Sequence, residues 1–236
     1  MTAEQWVHAV RHQLGVGRLL PLGGARDGAW ISEGAAEGVL RRAAGELRGV
    51  RLETLRIALA DAEDTSDPAV PAPPSALPPG PLRVTARFAA TAAEPLPTTA
   101  DLLRTTLAAA ATELLGLAVT EVDLRVTALL DEEPVPEDVR PPEPPGAEEP
   151  HDEDEVRVAS AALMVPGVAH LTRSLGRAVH IEEHQQEGSL PHRHARVELV
   201  VQADHRAVEV ARKVRTAVAE ALPDHPTVAV LVTAVG

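Results

Sequence analysis

Histidine and glutamate residues concentrate in one short stretch of the second half of the chain. Residues 180–184 read His-Ile-Glu-Glu-His, and residues 191–194 read Pro-His-Arg-His. Formally, His180, Glu183 and His184 match the H-x-x-E-H pattern of inverted zinc peptidases, which requires all three side chains on one helical face. The residues around His180 alternate as in a strand, which would separate His180 and His184 by about 13 Å at about 3.3 Å per residue. The pattern therefore does not predict a peptidase.

A looser metal site is more consistent with a strand. His192 and His194 are two residues apart, which places both imidazoles on one face of a strand. A hairpin partner strand would bring His180 or His184 across from them, and imidazole is a common zinc ligand. The sequence thus offers a metal-binding hypothesis on these four histidines. The alternative is a solvated polar hairpin, and we expect no cofactor.

Other catalytic patterns are missing from the sequence. The chain has no cysteine, which excludes disulfides, thiolate catalysis and cysteine-based metal sites. Its glycine pairs precede no Lys-Ser or Lys-Thr, and no serine has the G-x-S-x-G setting. We therefore expect a protein that is not an enzyme. The net charge of -13 and the lack of aromatic residues around the few clustered bases also argue against nucleic-acid binding.

Two similar units position these residues. Each unit is a strand, an amphipathic helix and a second strand, and the two lie about a hundred residues apart. The predicted elements are 82–88, 99–115 and 117–130 in the first unit, and 195–201, 206–222 and 226–235 in the second. The last strand is an almost unbroken apolar run, which predicts a central strand buried on both faces.

The units extend into two predicted lobes of a mixed α/β (α+β) protein. Each lobe is expected to run helix, strand, strand, helix, strand, and the lobes are expected to pack on each other as a pseudo-dimer. The predicted division is an N-terminal helix and connector (1–29), a first lobe (30–130), a linker (131–155) and a second lobe (156–236). Seven prolines in residues 61–81 predict an extended, mobile loop that projects from the first lobe.

The linker and the N-terminal helix have distinct characters. Residues 131–155 contain twelve acids and one arginine, so they hold most of the net charge and are expected to be disordered. Residues 2–14 form a predicted amphipathic helix with Trp6, Val10 and Leu14 along one face. This face either packs on the first lobe or binds a partner protein.

The pattern of residue types resembles the alkaline shock protein family of bacterial envelope-stress proteins. In both lobes a helix ends in Gly-Val (Gly49-Val50 and Gly167-Val168), and a later amphipathic helix carries an arginine (Arg104; Arg212 or Arg215). A Gly-Leu or Pro-Thr pair then precedes a valine-rich strand. The resemblance implies a non-enzymatic scaffold that is tethered near the membrane through a partner.

We therefore expect a non-catalytic, cytoplasmic interaction or scaffold protein, because the sequence shows neither a signal peptide nor an apolar stretch long enough to span a bilayer. Its expected partners are proteins, including membrane-associated ones, or a second copy of the chain. The alternative is a metal-responsive module built on the histidine hairpin.

Overall fold

The structure is a computed structural model that describes residues 17–135, 144–147, 152–184 and 192–236. These residues form two β-sheets and four α-helices, which confirms the mixed α+β class. The elements, in chain order, are β1 (Leu19–Pro21), β2 (Ala29–Ser32), α1 (Glu33–Gly45), β3 (Val50–Leu59), β4 (Leu82–Thr91), α2 (Leu96–Ala109), β5 (Val119–Leu130), α3 (Glu153–Leu163), β6 (Val168–Leu171), β7 (Val179–His184), β8 (His192–Val201), α4 (Ala207–Ala221) and β9 (Thr227–Val235). A π-helical turn, Ala110–Leu115, continues α2.

The smaller sheet has three strands in the order β3-β4-β5. Strand β3 runs antiparallel to β4, and β4 runs parallel to β5 through the α2 crossover. Side chains of β4 alternate between a fully buried face, with Val84 and Phe88, and an outer face, with Arg83 and Arg87. This period of two buries one face of the sheet and leaves the other in water.

The larger sheet has six strands in the order β1-β2-β9-β8-β6, with β7 also paired to β8. Strands β6 and β7 lie along the same edge of β8, at its end and its beginning respectively. Strand β9 lies between β2 and β8, and every residue of this strand after Thr227 is buried. The prediction of a central, doubly buried last strand is confirmed.

The structure corrects the prediction of a connector between the N-terminal helix and the first lobe. Its residues form β1 and β2, a hairpin that joins the larger sheet because β2 pairs in parallel with β9. Leu19, Leu20, Trp30 and Ile31 are each at most 1% exposed, so hydrophobic burial holds this hairpin in place. The predicted boundary at residue 29 therefore falls within a hairpin of the larger sheet.

The structure also corrects the prediction of a proline-rich loop that projects from the first lobe. This loop lies across the outer face of the larger sheet. Trp30 Nε1 donates to Leu77 O at 3.3 Å, and Leu77 N donates to Leu19 O at 2.8 Å. Val70 is 4% exposed and packs with Trp30 and Leu231. Proline cannot donate a backbone hydrogen bond, so this segment is held by a few non-proline amides and by apolar side chains.

The linker and the N-terminal helix are described only in part. Asp152 caps α3 by accepting from Glu155 N at 2.8 Å, so the helix begins within the predicted linker. Arg173 N donates to Pro145 O at 3.0 Å, which places residues 144–147 against the larger sheet. Residues 136–143 and 148–151, and the whole predicted helix 2–14, lie outside the described residues.

Both sheets contribute to one hydrophobic core, with α1 in contact with β3 and β9. Two polar contacts also join the predicted lobes: Ser32 Oγ donates to Thr233 O at 3.0 Å, and Arg42 Nη2 donates to Val235 O at 2.9 Å. The lobes therefore pack as one body, while a pseudo-two-fold relation between them stays a prediction.

Candidate functional site

The four predicted histidine ligands lie in the β7–β8 hairpin. Backbone pairing sets His184 opposite His192, Glu182 opposite His194, and His180 opposite Arg196. Directly paired residues of antiparallel strands share a face, so the register assigns all of these positions to one face of the sheet. The sequence prediction that a partner strand faces His192 and His194 agrees with this register.

The other face of the hairpin belongs to the core, which explains the register. Ala195 and Val197 are fully buried, and Ile181 packs against the same core. A slip of one residue would move these apolar side chains into water, so burial fixes the pairing. The histidine face is therefore a consequence of packing on the opposite side.

The histidines have different environments. His194 is 4% exposed, and its Nδ1 lies 2.9 Å from Thr227 Oγ1. His180 Nε2 lies 3.5 Å from Glu182 Oε2. Among the side chains that the structure describes, no three histidine, aspartate or glutamate residues are grouped so as to hold a metal ion. The side chain of His184 lies outside that described set, so the metal site stays a prediction.

A buried ionisable group on the same face was not predicted from the sequence. Glu198 of β8 is 0% exposed and accepts from Leu175 N at 3.0 and 3.2 Å. Arg196 Nη2 lies 3.6 Å from its carboxylate. Burial raises the pKa of Glu198 to about 7, although the Leu175 and Ser174 amides and the Arg196 charge act in the opposite direction. The carboxyl therefore exchanges its proton near neutral pH.

A signal for Glu198 is present in the sequence. It is the single acid of residues 195–201, of which five are Ala, Val or Leu and one is Arg196. An acidic residue followed directly by three apolar strand residues is expected to be buried, and buried acids require hydrogen-bond donors. The donors come from the loop before β7, and sequence alone does not place that loop.

A largely apolar groove of about 570 Å³ lies between α3 and strands β6 and β7. Its walls include Val156, Ala159 and Leu163 of α3 and Leu171 of β6. Val156 and Leu163 are 47% and 50% exposed, so a helix that packs on the core also presents apolar side chains to solvent.

One end of this groove is polar. Glu155, only 5% exposed, pairs with Arg177 Nη1 at 3.3 Å. Gly146 and Ala147, from the predicted linker, form part of the rim. The groove thus combines an apolar floor with a satisfied ion pair and a segment of the linker.

A second groove, of about 510 Å³, lies at the end of α1 and is lined by arginines. Arg41 and Arg42 already form hydrogen bonds within the protein, because both guanidinium groups donate to backbone carbonyls. Glu133 also enters, and its Oε1 accepts from Gly49 N at 2.9 Å. The arginine contacts join α1 to β3 and β9, and the Glu133 contact holds the loop after β5 against the turn that follows α1, which gives the groove a structural role.

The predicted partner-binding residues Trp6, Val10 and Leu14 lie outside the described residues. Within the described residues, no helix is both long enough and apolar enough to cross a membrane.

Comparison with known proteins returns no match to the chain, either among protein-family models or among curated proteins. The resemblance to alkaline shock proteins therefore rests on the residue pattern alone.

Proposed function

We propose that this protein is a non-catalytic, cytoplasmic scaffold that binds an apolar segment of a membrane-associated protein partner in the groove between α3, β6 and β7. The observation that carries the proposal is the exposure of Val156 and Leu163 on the wall of that groove. Apolar surface gains about 25 cal/mol for each Å² removed from water, so a partner that covers these side chains is favoured. The resemblance to alkaline shock scaffolds agrees with this role.

The shape and chemistry of the groove favour a helical or extended apolar segment as the bound partner. Its walls offer aliphatic side chains, while Glu155 and Arg177 satisfy each other at one end. Amphipathic helices bind such grooves through apolar anchors spaced three or four residues apart. A partner with one apolar stripe would fill the floor without leaving a buried charge unpaired.

The test is recovery of a partner from native cells, with membrane and soluble fractions kept apart, followed by reconstitution with that partner purified. We expect Leu163→Glu in the full chain to weaken binding at least about tenfold, because it places a charge on an apolar wall. Leu102→Glu is the matched control, because Leu102 is 54% exposed on α2, outside the groove. Equal affinity of the Leu163 variant and the wild-type chain would refute the proposal.

The predicted N-terminal helix needs a separate arm of this experiment. A deletion of residues 2–16 leaves β1 intact, since that strand begins at Leu19. Loss of the membrane-protein partner on deletion would assign Trp6, Val10 and Leu14 to partner binding. Unchanged affinity would assign binding to the groove alone.

A second candidate function, metal binding on the histidine hairpin, is supported by the register that sets His184 opposite His192. The test is the zinc content of the untagged full chain after dialysis with zinc, measured by mass spectrometry. We expect stoichiometric zinc in the wild-type chain and its loss in a variant with His184→Ala and His192→Ala. His194 is left intact because it is buried against Thr227. Metal-free wild-type protein would eliminate this function.

A further inference from the structure

The two edge strands of the smaller sheet differ in how far side chains cover their unpaired backbone groups. At the β3 edge, charged side chains contact the outward backbone groups. Arg41 donates to Leu52 O and Glu53 O at 3.2 and 3.1 Å, and Arg18 Nη2 donates to Ile57 O at 3.1 Å. Such charged cover prevents another strand from pairing there.

The β5 edge has little of this protection. Strand β5 is twelve residues long and is the last strand of its sheet. Among the described residues, one side-chain contact is made to its outward backbone groups, from Arg104 Nε to Val122 O at 3.4 Å. Val126 and Leu129 are 37% and 60% exposed on the same strand. A long, partly apolar, unpaired edge is a template for a further strand.

We propose that β5 pairs antiparallel with β5 of a second copy of this chain, so that two three-stranded sheets join into one of six strands. This surface is separate from the groove of the proposed function, which is built on α3, β6 and β7. The arrangement of charged residues along β5 favours a second copy of this chain over a different partner.

The direction of the backbone groups limits the pairing register. Arg104 lies on a helix, outside the sheet, so the Val122 carbonyl that it contacts points away from β4. The β4–β5 register is regular from Glu121 to Val126. With a period of two, Leu124 and Val126 therefore point outward as well. In a symmetric pair these three outward residues pair among themselves, because their backbone N–H and C=O groups point away from β4, and the partner strand would replace the contact of Arg104 with Val122 O.

Charge then selects one register. With Leu124 at the two-fold axis, Val122 pairs with Val126 of the partner subunit, and three such pairs exchange about six backbone hydrogen bonds. The same register sets Asp123 opposite Arg125 twice. The neighbouring registers set Asp123 opposite Asp123, or Arg125 opposite Arg125, and like charges directly opposite are unfavourable.

The environment of Arg125 in the single chain also fits this pairing. Arg125 is directly opposite Arg87 of β4, and both are exposed. Neither forms an ion pair with any residue that the structure describes, whereas Asp123 lies 3.5 Å from Arg83 Nε. A second copy would place Asp123 of the partner subunit opposite Arg125, and would leave Asp123 between Arg83 and the partner's Arg125.

The test is sedimentation of the full chain over a range of concentrations, with charge-reversal variants. We expect a monomer–dimer equilibrium that Asp123→Arg or Arg125→Asp weakens at least about tenfold, since each creates two like-charge pairs. The double variant restores complementarity and is expected to return to the wild-type dimer. A wild-type chain that stays monomeric at about 100 µM, or a dimer that all three variants leave unchanged, would overturn the proposal.

Cross-linking provides a second measurement that does not depend on charge. The chain contains no cysteine, so Leu124→Cys introduces a single thiol at the axis of the proposed pair. Paired Cα atoms there would lie about 5.5 Å apart, within the range of a disulfide. We expect mild oxidation to give a covalent dimer, whereas the control Arg56→Cys on β3 stays monomeric. Equal cross-linking of both variants would refute the β5 pairing, and the groove variant Leu163→Glu should leave the dimer unaffected.

Discussion

Replacing Glu198 with glutamine should remove a pH dependence of stability that this one carboxyl imposes. Below pH 4.5, Glu198 is protonated in both the folded and the unfolded chain, so it has little effect on the free energy of unfolding. Between its ordinary pKa of 4.5 and its folded pKa of about 7, the folded chain keeps a proton that the unfolded chain loses. The free energy of unfolding therefore falls as the pH rises through this window, and stays low above it.

The size of the effect follows from the two pKa values. Each pH unit between 4.5 and about 7 corresponds to about 1.4 kcal/mol, so ionised Glu198 costs roughly 3 kcal/mol at pH 8. A glutamine at this position stays neutral, and its Oε1 can still accept from Leu175 N. We expect Glu198→Gln to stabilise the protein relative to the wild-type chain at pH 8 and to have much less effect at pH 4.5.

The assay is denaturant unfolding of both chains, followed by circular dichroism at intervals from pH 4.5 to 8. The difference between the two free energies of unfolding isolates Glu198, because every other ionisable group is the same in both chains. Glu183→Gln, at an exposed position of β7, is the control and should give a constant difference. A constant difference for Glu198→Gln as well would refute the account of this carboxyl.

Three further substitutions test the packing between the predicted lobes. Gly116→Ala should lower the free energy of unfolding by about 2 kcal/mol or more in denaturant melts, because φ is +88° and an added Cβ would lie 2.3 Å from Val208 Cγ1. Val70→Ala should cost about 1.5 kcal/mol in the same melts, since it removes two buried methyl groups from the proline-rich loop. Asp27→Asn should cost about 1 kcal/mol at pH 7 and little at pH 2, because Arg212 lowers the pKa of Asp27 and stabilises it only while ionised.

Each of these substitutions has an informative control or contrary result. Gly34→Ala, in α1 with no atom within 4 Å of the added Cβ, should be neutral or stabilising. If Val70→Ala is also neutral, the proline-rich loop does not contribute to stability. If Asp27→Asn costs the same at pH 2 as at pH 7, the contact with Arg212 does not depend on the charge of Asp27.

Most elements of the fold could be predicted because their signals are local. In β4, Val84, Ala86 and Phe88 alternate with Arg83, Thr85 and Arg87, and that period of two predicts a strand with one buried face. In α4, Val210, Val214 and Val218 recur every four residues, and all three are buried as this period predicts. Such periods are complete within ten to fifteen residues, so they do not depend on the rest of the chain.

Elements whose stability depends on distant residues could not be predicted in this way. Strand β1 has three residues, one of which is Pro21. Nothing in Leu-Leu-Pro indicates a strand until it pairs with β2, which in turn pairs with β9. The same holds for the proline-rich loop, whose composition is typical of extended linkers. Its position depends on Val70 and Leu77 contacting a sheet that is completed by the last residues of the chain.

The candidate site also combines features that the sequence predicts with features that depend on distant residues. The alternation around His192 and His194 was enough to predict a strand with both side chains on one face. The position of Glu198 in an apolar run indicates burial, but its pKa also depends on the Leu175 amide, which a loop supplies from 23 residues away. The burial of Glu198 can therefore be predicted from the sequence, whereas its pKa can be derived only from the tertiary structure.

The shared core has a consequence for how the two proposed surfaces act together. The groove belongs to α3, β6 and β7, whereas the β5 edge belongs to the smaller sheet, and one continuous hydrophobic core joins the two sheets. A rigid connection of this kind fixes the groove relative to the edge, which a flexible linker between separate lobes would not do. Pairing through β5 would then hold two grooves at one defined separation, and two linked sites bind a clustered partner more tightly than either site alone. If both proposals hold, this arrangement gives a physical reason for the partner groove and the self-association edge to lie on different sheets.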